Sequence, residues 1–78
     1  MITHKQLRAA RAYMGWEYSD ITERTGLHRN TLALFESGEG NPRVSTVKTL
    51  INCFAAEGIL FEDGVIKHPK LEKIVGLR

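Results

Sequence analysis

The chain has 78 residues, a formal net charge of +2 and 42% hydrophobic residues. That suits one small domain with a modest core and leaves little room for an enclosed active site. So small a charge excludes a polycation held to nucleic acid by bulk attraction, so any such affinity has to come from placed groups.

The first helix is announced by Thr3-His4-Lys5-Gln6, a capping box, and by Leu7, Ala10, Arg11 and Met14 at i, i+3, i+4 and i+7. Gly15 ends it. A second helix is expected from about Tyr18 to Thr25 with Ile21 inward, then a tight turn at Gly26. A third runs from about His28 to Ser37, with Leu32, Phe35 and Glu36 on one face. Two short helices joined by a glycine turn are the layout of a helix-turn-helix DNA reader. Gly38-Glu39-Gly40-Asn41-Pro42 is loop by composition. Ser45 is the expected cap of a fourth helix striped by Val47, Leu50, Ile51 and Phe54 and ended by Gly58. Ile59-Leu60-Phe61-Glu62 and Val65-Ile66-Lys67-His68 then flank Asp63-Gly64, a strong hairpin signal. The tail Pro69–Val75 reads as a helical turn or two, or as frayed chain.

From Leu7 to Gly58 the chain resembles the phage-repressor-like helix-turn-helix family, the Cro and xenobiotic-response-element regulators. The residues that carry this are Leu7-Arg8-Ala9-Ala10-Arg11, Gly15-Trp16, Glu23-Arg24-Thr25-Gly26-Leu27, Arg29-Asn30-Thr31-Leu32, Phe35-Glu36-Ser37-Gly38 and Asn41-Pro42-Arg43-Val44-Ser45-Thr46-Val47. The resemblance implies a compact helical bundle and sequence-specific binding to double-stranded DNA, usually by a dimer. The chain departs from the pattern at Tyr18 (usually Gln, contacting a phosphate), Thr22 (usually a small Ala) and His28 (usually a Ser or Thr cap). A hairpin also stands where a fifth helix is common. The expected fold is mainly α: a four-helix domain of this type over residues 1–58, then a C-terminal β-hairpin and tail over 59–78 as the dimerisation element.

At about 100° per residue, Asn30, Ala33 and Leu34 lie opposite the apolar face of the third helix, with Arg29 at the flank and His28 on the core side. Arg29 suits guanine, Asn30 suits adenine, Ala33 permits close approach, and Leu34 suits a thymine methyl. A solvated face with one stray leucine is the plainer alternative. Arg43, Lys48, the loop amides up to Asn41, and Tyr18 through its hydroxyl are phosphate candidates, joined by His28 and Thr31. Residues 17–43 nevertheless set Arg24, Arg29 and Arg43 against Glu17, Asp20, Glu23, Glu36 and Glu39, a net of −2.

Arg11 and Glu36 each interrupt an apolar stripe, so each needs a partner. The family pattern pairs these positions, as a structural ion pair rather than a catalytic dyad. Trp16 reads as a plug between the first two helices rather than a base-stacking platform, and Cys53 as a small buried apolar group. A lone cysteine permits no internal disulfide and suits a reducing compartment. No segment has signal or membrane-spanning character, so a cytoplasmic protein without membrane association is expected. His4, His28, His68 and Cys53 lack metal-ligand spacing, and no nucleophile–base arrangement stands out. Neither cofactor, metal nor enzymatic activity is expected.

The function expected is a dimeric repressor of its own or a neighbouring operon, of the kind phages and mobile elements encode, binding a palindromic operator. Ile59, Leu60, Phe61, Val65 and Ile66 are the expected dimer interface, with Leu60 over helix four and Ile59 and Phe61 pointing away; the competing outcome is a hairpin folded back entirely on its own domain, with helix four making the dimer. A protein-binding adaptor on the same scaffold, an antitoxin or antiactivator capped by the apolar C-terminal segment, is the alternative. In either case a regulatory protein partner is possible.

Overall fold

The computed structural model describes residues 2–62, 65–68 and 71–74, with side chains described for the first two groups. Four helices and a small sheet follow in chain order: α1 (His4–Met14), α2 (Tyr18–Thr25), α3 (Arg29–Glu36), α4 (Val44–Ala55), β1 (Leu60–Glu62), β2 (Val65–His68) and β3 (Leu71–Ile74).

Thr3 and Gln6 form the capping box of α1: Gln6 N donates to Thr3 Oγ1 at 3.1 Å and Thr3 N to Gln6 Oε1 at 2.8 Å. Helices α1 and α4 end in the same device. Trp16 N donates to Arg11 O and Ile59 N to Phe54 O, both at 3.0 Å, around Gly15 and Gly58. These are Schellman closures, which satisfy orphan carbonyls and fold the next side chain back onto the helix. Each one plants an apolar residue, Trp16 or Ile59, in the core. Helix α4 begins one residue before the expected Ser45 cap. Arg43 is its N-cap, its carbonyl accepting from Val47 N at 3.1 Å, and it makes no side-chain cap because a guanidinium has no acceptor for the first-turn amides. Ser45 lies within the first turn, where its carbonyl accepts from Thr49 Oγ1 at 2.8 Å.

The sheet is antiparallel in the order β1-β2-β3, with Leu60, Phe61 and Glu62 opposite Lys67, Ile66 and Val65. Asp63 and Gly64, the expected turn, lie outside the described residues. The expected helical or frayed tail is corrected over Leu71–Ile74, which pairs with β2 as a third strand. A two-stranded hairpin would leave the ladder groups of β2 unpaired on that side, and a third strand satisfies them.

The hairpin faces are also the reverse of those expected. Ile59 and Ile66 are fully buried, Phe61 meets Phe54 edge-on at 5.7 Å, and Leu60 is 54% exposed. Ile59 is fixed inward by the Schellman closure. Strand alternation then turns Leu60 out and Phe61 in. Ile59, Ile66 and Phe61 therefore serve the chain's own core, together with Leu7, Ile21, Leu32, Leu50 and Phe54. Of the expected interface, Leu60 and Val65 remain on the outer face. Among the described residues no helix is long and apolar enough to cross a membrane.

Candidate nucleic-acid interface

Helix α3 is positioned by what precedes it. Thr25 Oγ1 accepts from Leu27 N at 3.1 Å, and Gly26 takes φ 76°, so the chain reverses within three residues between α2 and α3. His28 caps α3, its Nδ1 accepting from Asn30 N at 3.0 Å. In the neutral ring Nε2 then carries the proton and faces out as a donor.

The helix is sharply two-sided. Leu32, Phe35 and Glu36 are buried, while Arg29, Asn30, Ala33 and Leu34 are exposed; His28, expected on the core side, is exposed too, because as the N-cap its backbone is extended and outside the helical period. Leu34 lies against the loop that follows the helix. Gly40 passes beneath it at φ 77°, so close that a Cβ there would lie 3.2 Å from Leu34 Cδ2. The loop thus props Leu34 in place and leaves it 51% exposed. Beside it lies an open groove of about 320 Å³ lined by Leu27, Thr31, Leu34, Pro42, Arg43 and Thr46, among others. Asn41 and Arg43 are exposed on the loop, Lys48 is exposed on α4, and Thr31 is half-buried in the groove wall.

Behind this face sits a polar network. Arg11 Nε and Nη2 grip Glu36 Oε2 and Oε1 at 2.6 and 3.0 Å, and Arg11 Nη1 donates to Trp16 O at 2.9 Å. The Glu36 side chain is 6% exposed and that of Arg11 26%, so the arginine reaches solvent at one edge. Donating to the Glu36 carboxylate raises the pKa of Arg11 against the opposing effect of burial, so the guanidinium stays charged. Tyr18 joins this network. Its hydroxyl donates to Glu36 Oε1 at 3.2 Å and so points inward, where an outward phosphate contact was expected. Burial, reinforced by the Glu36 carboxylate, pushes the Tyr18 phenol above its ordinary value of 10.0. The reason is packing: the aromatic side chain at the first position of α2 lies in the angle between α2 and α3, over the Arg11 guanidinium at 4.8 Å.

Trp16 is 9% exposed and stacks at 5.1 Å from Phe54, so it is core. Arg24 lies over it at 4.3 Å and donates to Asp20 O, which commits that cation to the fold. Cys53 is half-buried, and burial raises its thiol pKa. A second open groove, of about 430 Å³, is lined by Glu17, Tyr18, Ser19, Thr22, Glu23 and Arg29. The Thr22 hydroxyl is buried there without a hydrogen-bond partner. Among the described residues no three His, Cys, Asp or Glu side chains gather as metal ligands would.

Compared with protein-family models, curated proteins and solved structures, the chain matches none.

Sequence reasoning missed the second role of Gln6. Its Nε2 donates to Glu62 O at 2.8 Å and Val65 O at 2.9 Å, tying α1 to the end of β1 and the start of β2. The signal was present, since Gln6 stands at i−4 from Ala10 on the stripe of α1, yet it is 2% exposed. Tyr13, further along that helix, lies 3.1 Å from His68 Nδ1 through its hydroxyl.

Proposed function

We propose that the chain is a sequence-specific, double-stranded DNA-binding regulator of the phage-repressor-like helix-turn-helix kind, acting as a homodimer on a palindromic operator. The observation that carries this reading is the outer face of α3. Four consecutive-face residues, Arg29, Asn30, Ala33 and Leu34, are exposed on a helix whose other side is locked into the core. Their chemistry matches what a major groove displays: guanine and adenine edges for Arg29 and Asn30, a methyl for Leu34. Asn41, Arg43 and Lys48 supply backbone contacts around it. Two such helices, one per protomer, would enter successive major grooves about 34 Å apart. Repression follows from occupying a promoter, with no enzymatic step and no cofactor.

The test is selection from a random duplex library, followed by gel-shift titration. Arg29→Ala is expected to cost about 1–3 kcal/mol on the selected site and to relax one base position. Wild-type affinity and selectivity in both Arg29→Ala and Asn30→Ala would exclude this assignment.

One observation favours a second reading, a protein-binding adaptor on the same scaffold. Glu17 and Asp20 sit at the start of α2, and the Asp20 carboxylate accepts from Glu17 N at 2.8 Å. Negative charge there opposes a phosphate at that helix end. The selection experiment separates the two readings, because an adaptor enriches no sequence.

A further inference from the structure

We propose that Tyr18 is a positioning residue that holds the Arg29 guanidinium for base recognition, linking the buried Arg11–Glu36 pair to the exposed face of α3. The proposal rests on the reading of α3 as the base-contacting helix.

The geometry runs outward in three steps. Arg11 grips Glu36 through both carboxylate oxygens. Glu36 Oε1 accepts from the Tyr18 hydroxyl, which fixes the far end of the ring. The ring then lies under two cations, with Arg11 Cζ at 4.8 Å and Arg29 Cζ at 5.8 Å from its centre. Both distances are within reach of a cation–π attraction. Arg29 is exposed and stands at the first position of α3. A bidentate contact to guanine needs the planar fork oriented before it arrives, and an aromatic face favours stacked orientations of that plane.

Tyr18 is not needed to complete the ion pair. Glu36 already accepts two hydrogen bonds from Arg11, so the phenol is an addition to a satisfied pair. Its distinctive contribution is the ring face offered to Arg29. The ring and the hydroxyl can therefore be separated. Tyr18→Phe keeps the face and loses the tether; Tyr18→Leu loses both.

The experiment measures three things on wild type, Tyr18→Phe, Tyr18→Leu and Arg29→Ala. These are thermal midpoint, the NMR shifts of the Arg29 δ protons in the free protein, and binding to the selected operator and to its variants at the base position that Arg29→Ala relaxes. Tyr18→Leu is expected to lose roughly two- to fivefold in discrimination at that position alone. It should also move the Arg29 δ shifts toward random-coil values. Tyr18→Phe should retain most of both. If Tyr18→Leu does not fold, Tyr18→Met, an unbranched apolar side chain without a ring face, takes its place, and unchanged discrimination with unchanged Arg29 shifts in it overturns the inference equally. Unchanged discrimination and unchanged Arg29 shifts in a folded Tyr18→Leu overturn the inference while leaving base reading by Arg29 intact. A wild type that selects no sequence overturns the base-reading assignment, and the inference with it.

Discussion

Glu36 is the residue on which the interior of α3 turns. It accepts from Arg11 twice and from Tyr18 once, at 2.6 to 3.2 Å. Truncation to Ala leaves a partly buried guanidinium facing apolar surface. Glu36→Ala is expected to cost about 3 kcal/mol, the lower end of the range for breaking a buried pair, because Arg11 is 26% exposed. Replacing both partners, as Arg11→Met with Glu36→Leu, should cost far less, since no charge is stranded. Urea denaturation of the two variants measures the contrast; equal losses would mean that packing, not the stranded charge, sets the cost. That each charge needs a partner was legible because both interrupt apolar stripes; that they pair with each other was what the family resemblance implied. The inward turn of Tyr18 was not legible, because it depends on the angle between α2 and α3, which local periodicity does not encode.

At the scale of elements, α1 and the sheet are joined by the Gln6 amide and, further along, by the Tyr13–His68 contact. Gln6 uses Oε1 for its own helix cap and Nε2 for the carbonyls of Glu62 and Val65. Gln6→Glu replaces a double donor by an acceptor at nearly the same volume. At neutral pH its carboxylate would face two carbonyl oxygens, so the variant is expected to lose about 2–3 kcal/mol or more. Burial and the carbonyls disfavour the charged form, which raises the folded-state pKa above the ordinary 4.3 or so. The folded state then holds its proton where the unfolded state has lost it. The deficit is therefore smallest below about pH 4 and grows as pH rises through the raised pKa. Thermal midpoints of variant and wild type between pH 4 and 8 test this; a pH-independent gap would show that Gln6 acts through packing. Several helix ends were readable from the sequence, since Thr3, Gly15, Gly26 and Gly58 stand where caps and turns require them, whereas the start of α4 was misplaced at Ser45. The tail was not readable. Leu71, Ile74 and Val75 stand at i, i+3 and i+4, a helical spacing without strand alternation, so the extended conformation of Leu71–Ile74 comes from the open edge of β2.

For the molecule as a whole, the decisive question is whether the sheet is an appendage or part of the core. A boundary after Gly58 is natural by composition, and the helical stripes alone suggest a self-sufficient bundle. The Schellman closure of α4 argues otherwise, because it directs Ile59 into the interior and commits the strand that follows. Ile59 and Ile66 are fully buried, and Phe61 packs on Phe54. Each buried isoleucine contributes about 1.5–3 kcal/mol. Gln6 would also lose both its carbonyl acceptors. Against a total of about 5–15 kcal/mol for a typical small domain, these losses are decisive. A chain ending at Gly58 is therefore expected to show little cooperative melting at 25 °C and above by circular dichroism. Leu60→Asp in the full chain is expected to keep the wild-type midpoint within a few degrees, since Leu60 is 54% exposed. The same variant addresses assembly. If two protomers meet through the outer sheet face, Leu60→Asp sediments as a folded monomer where the wild type is a dimer. A truncated chain that melts cooperatively near the full-length midpoint would restore the sheet to the status of an appendage, and its apolar residues would then need a partner outside the chain.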